Sequence, residues 1–160
     1  MDVTFRGKRI SDGQWVYGRR LAETVIAPSG QLFSMYNNRC ELSVYEVDRT
    51  TVGMSTGFHD KNDKLVYEGD ILQFGDKKLV VFWNGEAYQW WAKVYGIKNE
   101  DFILCNPSTY GFWTAIDLGE IASEEAIVGR ISTEIIGNIF DDPEEVETTN
   151  DCEQFVECIF

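Results

Sequence analysis

Histidine is almost missing from this 160-residue chain, His59 being the only one. A nucleophilic triad with an imidazole base therefore has one place to form. That place is the edge of a turn beside Asp60, where an exposed, non-catalytic histidine is expected. Cysteine is also scarce. Cys40, Cys105, Cys152 and Cys158 include no C-x-x-C pair, so the usual zinc pattern is lacking and free thiols in a reducing cytoplasm are expected. No apolar run approaches the ~18 residues that would span a bilayer. The start, MDVTFRGKRI, lacks an apolar signal core. There is no glycine-rich phosphate cradle and no long repeat.

Basic residues are few, and they are unevenly spread. The chain carries 14 Lys and Arg against 27 Asp and Glu, a formal net charge of −13. Residues 117–160 hold 13 of the acids and only one base, Arg130. A chain so charged is a poor match for a phosphate backbone, which needs concentrated Lys and Arg. A basic protein partner fits it better. The one basic spot is residues 1–20, with Arg6, Lys8, Arg9, Arg19 and Arg20 against Asp2 and Asp12.

Aromatics are plentiful: five Trp, seven Tyr and ten Phe, a composition that favours strands. Phe5 to Ile10 and Trp15 to Arg20 read as two strands about Asp12-Gly13. A two-residue turn there sets Arg6 opposite Arg19 and Phe5 opposite Arg20. Asp70 to Phe74, Lys77 to Trp83 and Glu86 to Tyr95 read as a three-stranded meander joined by Gly75-Asp76 and Asn84-Gly85. A two-residue turn at Asn84-Gly85 pairs Trp83 with Glu86, Val81 with Tyr88 and Leu79 with Trp90. Weaker strands are expected near Leu32 to Met35, around Leu42 and Val44, and at Phe102 to Cys105 and Ile135 to Phe140. A helical turn is expected at Ser123-Glu124-Glu125. Trp83, Tyr88, Trp90, Trp91 and Tyr95 could stack nucleic-acid bases, but only Lys93 lies among them, so core packing is expected. In the last stretch Cys152, Phe155, Val156 and Ile159 recur at helical spacing, giving a short acidic amphipathic helix.

Gly57 to Leu72, GFHDKNDKLVYEGDIL, is the densest cluster of turn signals. Asp60-Lys61-Asn62-Asp63 is a run of turn formers between Phe58 and Leu65, and Tyr67-Glu68-Gly69-Asp70 leads into Ile71-Leu72. Asp63 is expected at positive φ, and Asp70 is expected to accept backbone N–H groups of its turn. As a calcium loop the stretch fails, because its twelfth position is Ile71 rather than Glu. This stretch resembles the signature of the YopX-like family of phage and prophage proteins, commonly worded TGLKDKNGKEIYEGDIV. Two further segments are similar: Phe5 to Gly18, and EIIGNIFDDP at Glu134 to Pro143, where the family has a version of EVIGNIYENPE. The family's Gly is replaced here by Asp63. The resemblance implies a mostly β phage-borne protein inside a bacterial host and brings no catalytic residues with it.

The expected fold is all-β or β-rich, a small antiparallel barrel or sandwich of SH3-like character. An N-terminal hairpin layer and a short C-terminal helix complete it. One domain is expected over residues 1–143, divisible into 1–56 and 57–143, followed by an acidic tail at 144–160. Phe58, Asp60, Asn62, Asp63, Tyr67, Glu68, Gly69 and Asp70 are expected to be a structural signature. Arg6, Arg19, Arg20, Trp91, Tyr95, Phe155, Val156 and Ile159 are the expected interaction surface. The expected function is that of a non-catalytic, cytoplasmic phage accessory protein acting through protein–protein contacts. The partner expected is a basic host or phage protein, or a second copy of the chain. No metal, cofactor or membrane is expected. Two alternatives stand beside it. One is a nucleic-acid-associated regulator. The other is a metal-dependent hydrolase in which Asp60, Glu68 and Asp70 converge.

Overall fold

The computed structural model describes residues 3–28, 34–36, 39–41, 44–95, 115–121 and 129–141. These residues are strand-rich and fall into two compact units, Met1–Gly57 and Phe58–Phe160. The expected strand at Phe102 to Cys105, the turn at Ser123 to Glu125 and the C-terminal helix with Phe155, Val156 and Ile159 lie outside the described residues.

In the first unit, β1 (Phe5–Lys8), β2 (Trp15–Ala22) and β3 (Val25–Pro28) run antiparallel. A small ribbon follows, β4 (Ser34–Tyr36) with β5 (Arg39–Glu41). β6 (Tyr45–Glu46) pairs with β3. A 3-10 turn at Arg49–Thr51, capped by Asp48 accepting the Thr50 N–H at 2.9 Å, leads into β7 (Gly53–His59) beside β1. Within this unit the order is β6-β3-β2-β1-β7. Val16, Ile26 and Val47 form the core, with Phe5, Tyr45 and Val52 packed on it. Gly18 is obligatory for packing. A Cβ there would lie 1.9 Å from the carbonyl oxygen of Ala27, on the neighbouring strand's backbone.

The observed register differs from the two-residue turn expected at Asp12-Gly13. Lys8 pairs with Trp15, Arg6 with Tyr17 and Phe5 with Gly18. The Arg9 N–H donates to the Gln14 carbonyl at 2.9 Å, which closes a four-residue loop, and Asp12 Oδ1 accepts the Gln14 N–H. Arg6 therefore does not face Arg19, and the expected like-charge pair does not form.

In the second unit, β8 (Leu65–Tyr67) follows the Asp60 turn. A five-stranded antiparallel sheet comes next: β9 (Asp70–Phe74), β10 (Lys77–Asn84), β11 (Gln89–Val94), β12 (Ala115–Asp117) and β13 (Glu134–Asn138), with a 3-10 turn at Leu118–Ile121. The order is β12-β11-β10-β9-β13. Neither main sheet closes into a barrel among the described residues. Because side chains alternate across a sheet, one row reads Ile135, Leu72, Leu79, Val94 over four strands and the next reads Val81, Ala92, Ile116. With Val66, Leu118, Ile121 and Ile131 these rows form the larger core. Each fully buried aliphatic contributes roughly 1.5–3 kcal/mol, so this unit holds most of the described apolar stabilisation.

The hairpin between β10 and β11 also departs from expectation. Trp83 pairs with Trp90, Val81 with Ala92 and Leu79 with Val94, around a four-residue loop at 85–88. Asn84 Oδ1 accepts the N–H groups of Glu86 (3.0 Å) and Ala87 (3.2 Å), which holds the longer loop. The offset is even, so the side chains that remain in the two strands keep their expected faces.

Candidate functional site

The Gly57–Leu72 signature is a turn built around one buried carboxylate. Asp60 is fully buried. Its Oδ1 accepts the N–H groups of Asn62 and Lys64, each at 2.9 Å, and its Oδ2 accepts the Ile135 N–H at 3.1 Å. The Asp60 N–H donates to the Lys64 carbonyl at 2.8 Å, and the Asp63 N–H to the Asp60 carbonyl at 3.0 Å. Asp63 has φ 66°, as the family's glycine at that position implies.

The same turn holds the closing segment. The Lys61 N–H donates to the Thr133 carbonyl at 2.9 Å, the His59 N–H to Gly129 at 2.7 Å, and the Ile131 N–H to His59 at 2.8 Å. His59 is half-buried at a strand end, not exposed in a turn as expected. Around the rim, Lys61 Nζ meets Glu134 Oε2 and Arg130 Nη2 meets Asp63 Oδ1, both at 2.8 Å. The Lys61 ammonium, by hydrogen bond and by charge, holds the Glu134 carboxyl below its ordinary range.

Further along, Asp70 is buried and its Oδ2 accepts the Tyr67 N–H at 2.8 Å. Gly69 has φ 83°, and a Cβ there would sit 2.7 Å from the Phe140 ring. The Gly69 N–H donates to Val81 and its carbonyl accepts the Ile139 N–H. Phe58 packs on the larger core and Tyr67 is buried, while Glu68 is half-buried in the turn before β9. Among the described residues no group of three His, Cys, Asp or Glu is placed to hold a metal. Both carboxylate oxygens of Asp60 and Oδ2 of Asp70 accept backbone N–H groups.

In the basic spot of the first unit, Arg6, Arg9 and Arg20 have partners within that unit. Arg6 is buried, its guanidinium 4.7 Å from the centre of the Trp15 ring. Arg9 pairs with Asp12 and lies 4.9 Å from the Tyr45 ring centre. Arg20 donates to the carbonyls of Ala22 and Glu23 and lies over Phe5. Of the expected trio, Arg19 and Arg20 are exposed and Arg6 is not.

The most exposed of the described aromatics lies elsewhere. Trp91 is half-buried and edge-on to Phe82 at 6.5 Å, and Tyr95 is half-buried with its N–H on the Lys78 carbonyl. At the β10–β11 tip, by contrast, Tyr88 is 79% exposed and Trp83 is 41% exposed. Trp83 stacks edge-on against half-buried Trp90 at 5.1 Å. Tyr88 also has φ 53°. The four-residue loop of the β1–β2 hairpin ends in a left-handed residue too, but there it is Gly13 (φ 70°). A bulky residue at this position is strained, where glycine is not. The two-residue turn expected from the sequence pointed Tyr88 at Val81 instead, which concealed it. The missed signal is its place four residues after Asn84, at the loop position that wants glycine.

The sequence profile of the YopX protein family matches residues 4–147. A comparison with curated proteins returns no match.

Proposed function

Because the chain belongs to the YopX family, we propose that it is a non-catalytic phage or prophage accessory protein. It works in the cytoplasm of a bacterial host by protein–protein contact, and the tip of the β10–β11 hairpin makes that contact. One observation carries the reading: Tyr88 is held exposed, in a backbone conformation that the equivalent position of the β1–β2 loop gives to Gly13. Strain kept at an exposed aromatic is a mark of a binding position, and Tyr and Trp dominate the energetics of protein interfaces. The second unit then serves as an SH3-like module, an open meander that offers a loop to its ligand.

The partner is a basic protein. Residues 83–90 contain Glu86 and no Lys or Arg, on a chain of net charge −13. The test is capture from host cells with the wild-type chain and with Tyr88→Ala and Trp83→Ala, each at unchanged melting temperature. Loss of a specific captured protein in both variants supports the reading. An identical captured set in all three overturns it. Mass in solution separates a second copy of the chain from a foreign partner.

A further inference from the structure

At the tip of the same hairpin, Asn84 closes the last strand pair and Gly85 begins the loop. Gly85 is exposed, has no left-handed φ, and a Cβ placed on it would meet nothing within 4 Å. Apart from its two chain neighbours, no residue would crowd a side chain placed at Gly85. Asn84 Oδ1 accepts two backbone N–H groups, from Glu86 at 3.0 Å and Ala87 at 3.2 Å. Both donors point at the oxygen on which negative charge develops when Cγ is attacked. Donors so placed resemble those of an oxyanion hole.

We infer that the folded hairpin promotes its own deamidation at Asn84. The Gly85 amide nitrogen, having lost its proton to hydroxide, bonds to Asn84 Cγ while the carbonyl π pair moves onto Oδ1. The tetrahedral oxyanion collapses, the Cγ–Nδ2 bond breaks, and Nδ2 takes a proton from water and leaves as ammonia. Water then opens the cyclic imide at either carbonyl. The product is aspartate or isoaspartate at position 84, with one water consumed, one ammonia released and no change of oxidation state. Either product adds a negative charge. Isoaspartate also adds a backbone methylene at the start of the loop that carries Tyr88, so the tip changes shape as the protein ages.

The experiment incubates the full chain at several pH values, folded and unfolded in urea, and follows position 84 by peptide mass and isoaspartate labelling. The expected result is conversion in the folded chain at least as fast as in the unfolded one. It should rise with pH and run ahead of Asn62 and Asn138. Gly85→Ala, which has room for its methyl group, is expected to convert several-fold more slowly. Folded protein that stays intact while the unfolded chain converts would overturn the inference. So would a Gly85→Ala variant that reacts at the wild-type rate, or no conversion in either state.

Discussion

Asp60 Oδ2 accepts the backbone N–H of Ile135 at 3.1 Å, across seventy-five residues of chain. One side chain thereby organises its own turn and ties that turn to β13, the two stretches with the strongest likeness to the family's wording. Removing it leaves three part-buried N–H groups without their acceptor, each costing up to about 1–3 kcal/mol. Asp60→Ala is expected to lose about 3–5 kcal/mol, within the range of a broken buried network. Asp60→Asn should lose somewhat less, because one amide oxygen can still serve the turn. Urea unfolding of the purified variants measures both, and an Asp60→Ala loss below about 1 kcal/mol would remove Asp60 from its structural role.

Asp63 sits at φ 66° and also pairs with Arg130. The Asp63 side chain is 72% exposed, so the pair contributes only about 0–1 kcal/mol. Relief of the left-handed strain is worth about 1 kcal/mol. Asp63→Gly is therefore expected to be neutral or stabilising by up to ~1 kcal/mol, whereas Asp63→Ala, which keeps the strain and loses the pair, should be destabilised. Denaturation midpoints check both: Asp63→Gly at or above wild type, and Asp63→Ala below it.

Glu134 has a carboxyl held below its ordinary 4.5 by the hydrogen bond and charge of Lys61. A depressed folded-state value stabilises the fold above the unfolded value and loses that stabilisation as pH falls through the folded one. Asp12 and Asp48 are shifted in the same direction, the first chiefly by the Gln14 N–H and the second by the Thr50 hydroxyl. Stability should therefore fall on the acid side. The gap between wild type and Glu134→Gln should be widest near neutrality and close in acid. A gap that does not narrow below the ordinary carboxylate range would show that the Lys61–Glu134 pair has no part in it.

Tyr88 sets stability against binding. Tyr88→Gly relieves the left-handed backbone and is expected to stabilise the fold by up to ~1 kcal/mol. The same change should abolish partner capture. Trp90→Ala is expected to cost about 2 kcal/mol, less than the ~3–5 of a fully buried ring, because Trp90 only flanks the core. Melting curves and capture read on the same preparations separate the two residues.

The parts of the fold legible in the sequence were those governed by local chemistry. Asp70–Phe74 and the Gly75-Asp76 turn stand where the alternation and the glycine put them. The left-handed Asp63 followed from the glycine that the family has there. Loop lengths were not legible. Asp12 and Asn84 each turn a side-chain oxygen onto backbone N–H groups further along, which opens a four-residue loop where the dipeptide alone suggested two. Short strands such as Val25–Pro28 and Ala115–Asp117 have too few residues to alternate visibly. At the site, Asp60 stood out as a turn former, but its bond to Ile135 is tertiary and left no local trace. Tyr88 was hidden by the same error in loop length.

The even offset between the expected and observed pairings of β10 and β11 bears on how this meander folds. A hairpin closed tightly at Asn84-Gly85 would turn Val81 and Trp90 to the same side as the native one does. Hydrophobic collapse alone cannot tell the two pairings apart, since both offer the core the same face. The distinction rests on Trp83 meeting Trp90 rather than Glu86, and on the amides that Asn84 gathers. Folding must therefore choose at the turn between two registers that present the same faces. A refolding chain that closes the tight turn first has to reopen that hairpin before β12 can dock on β11.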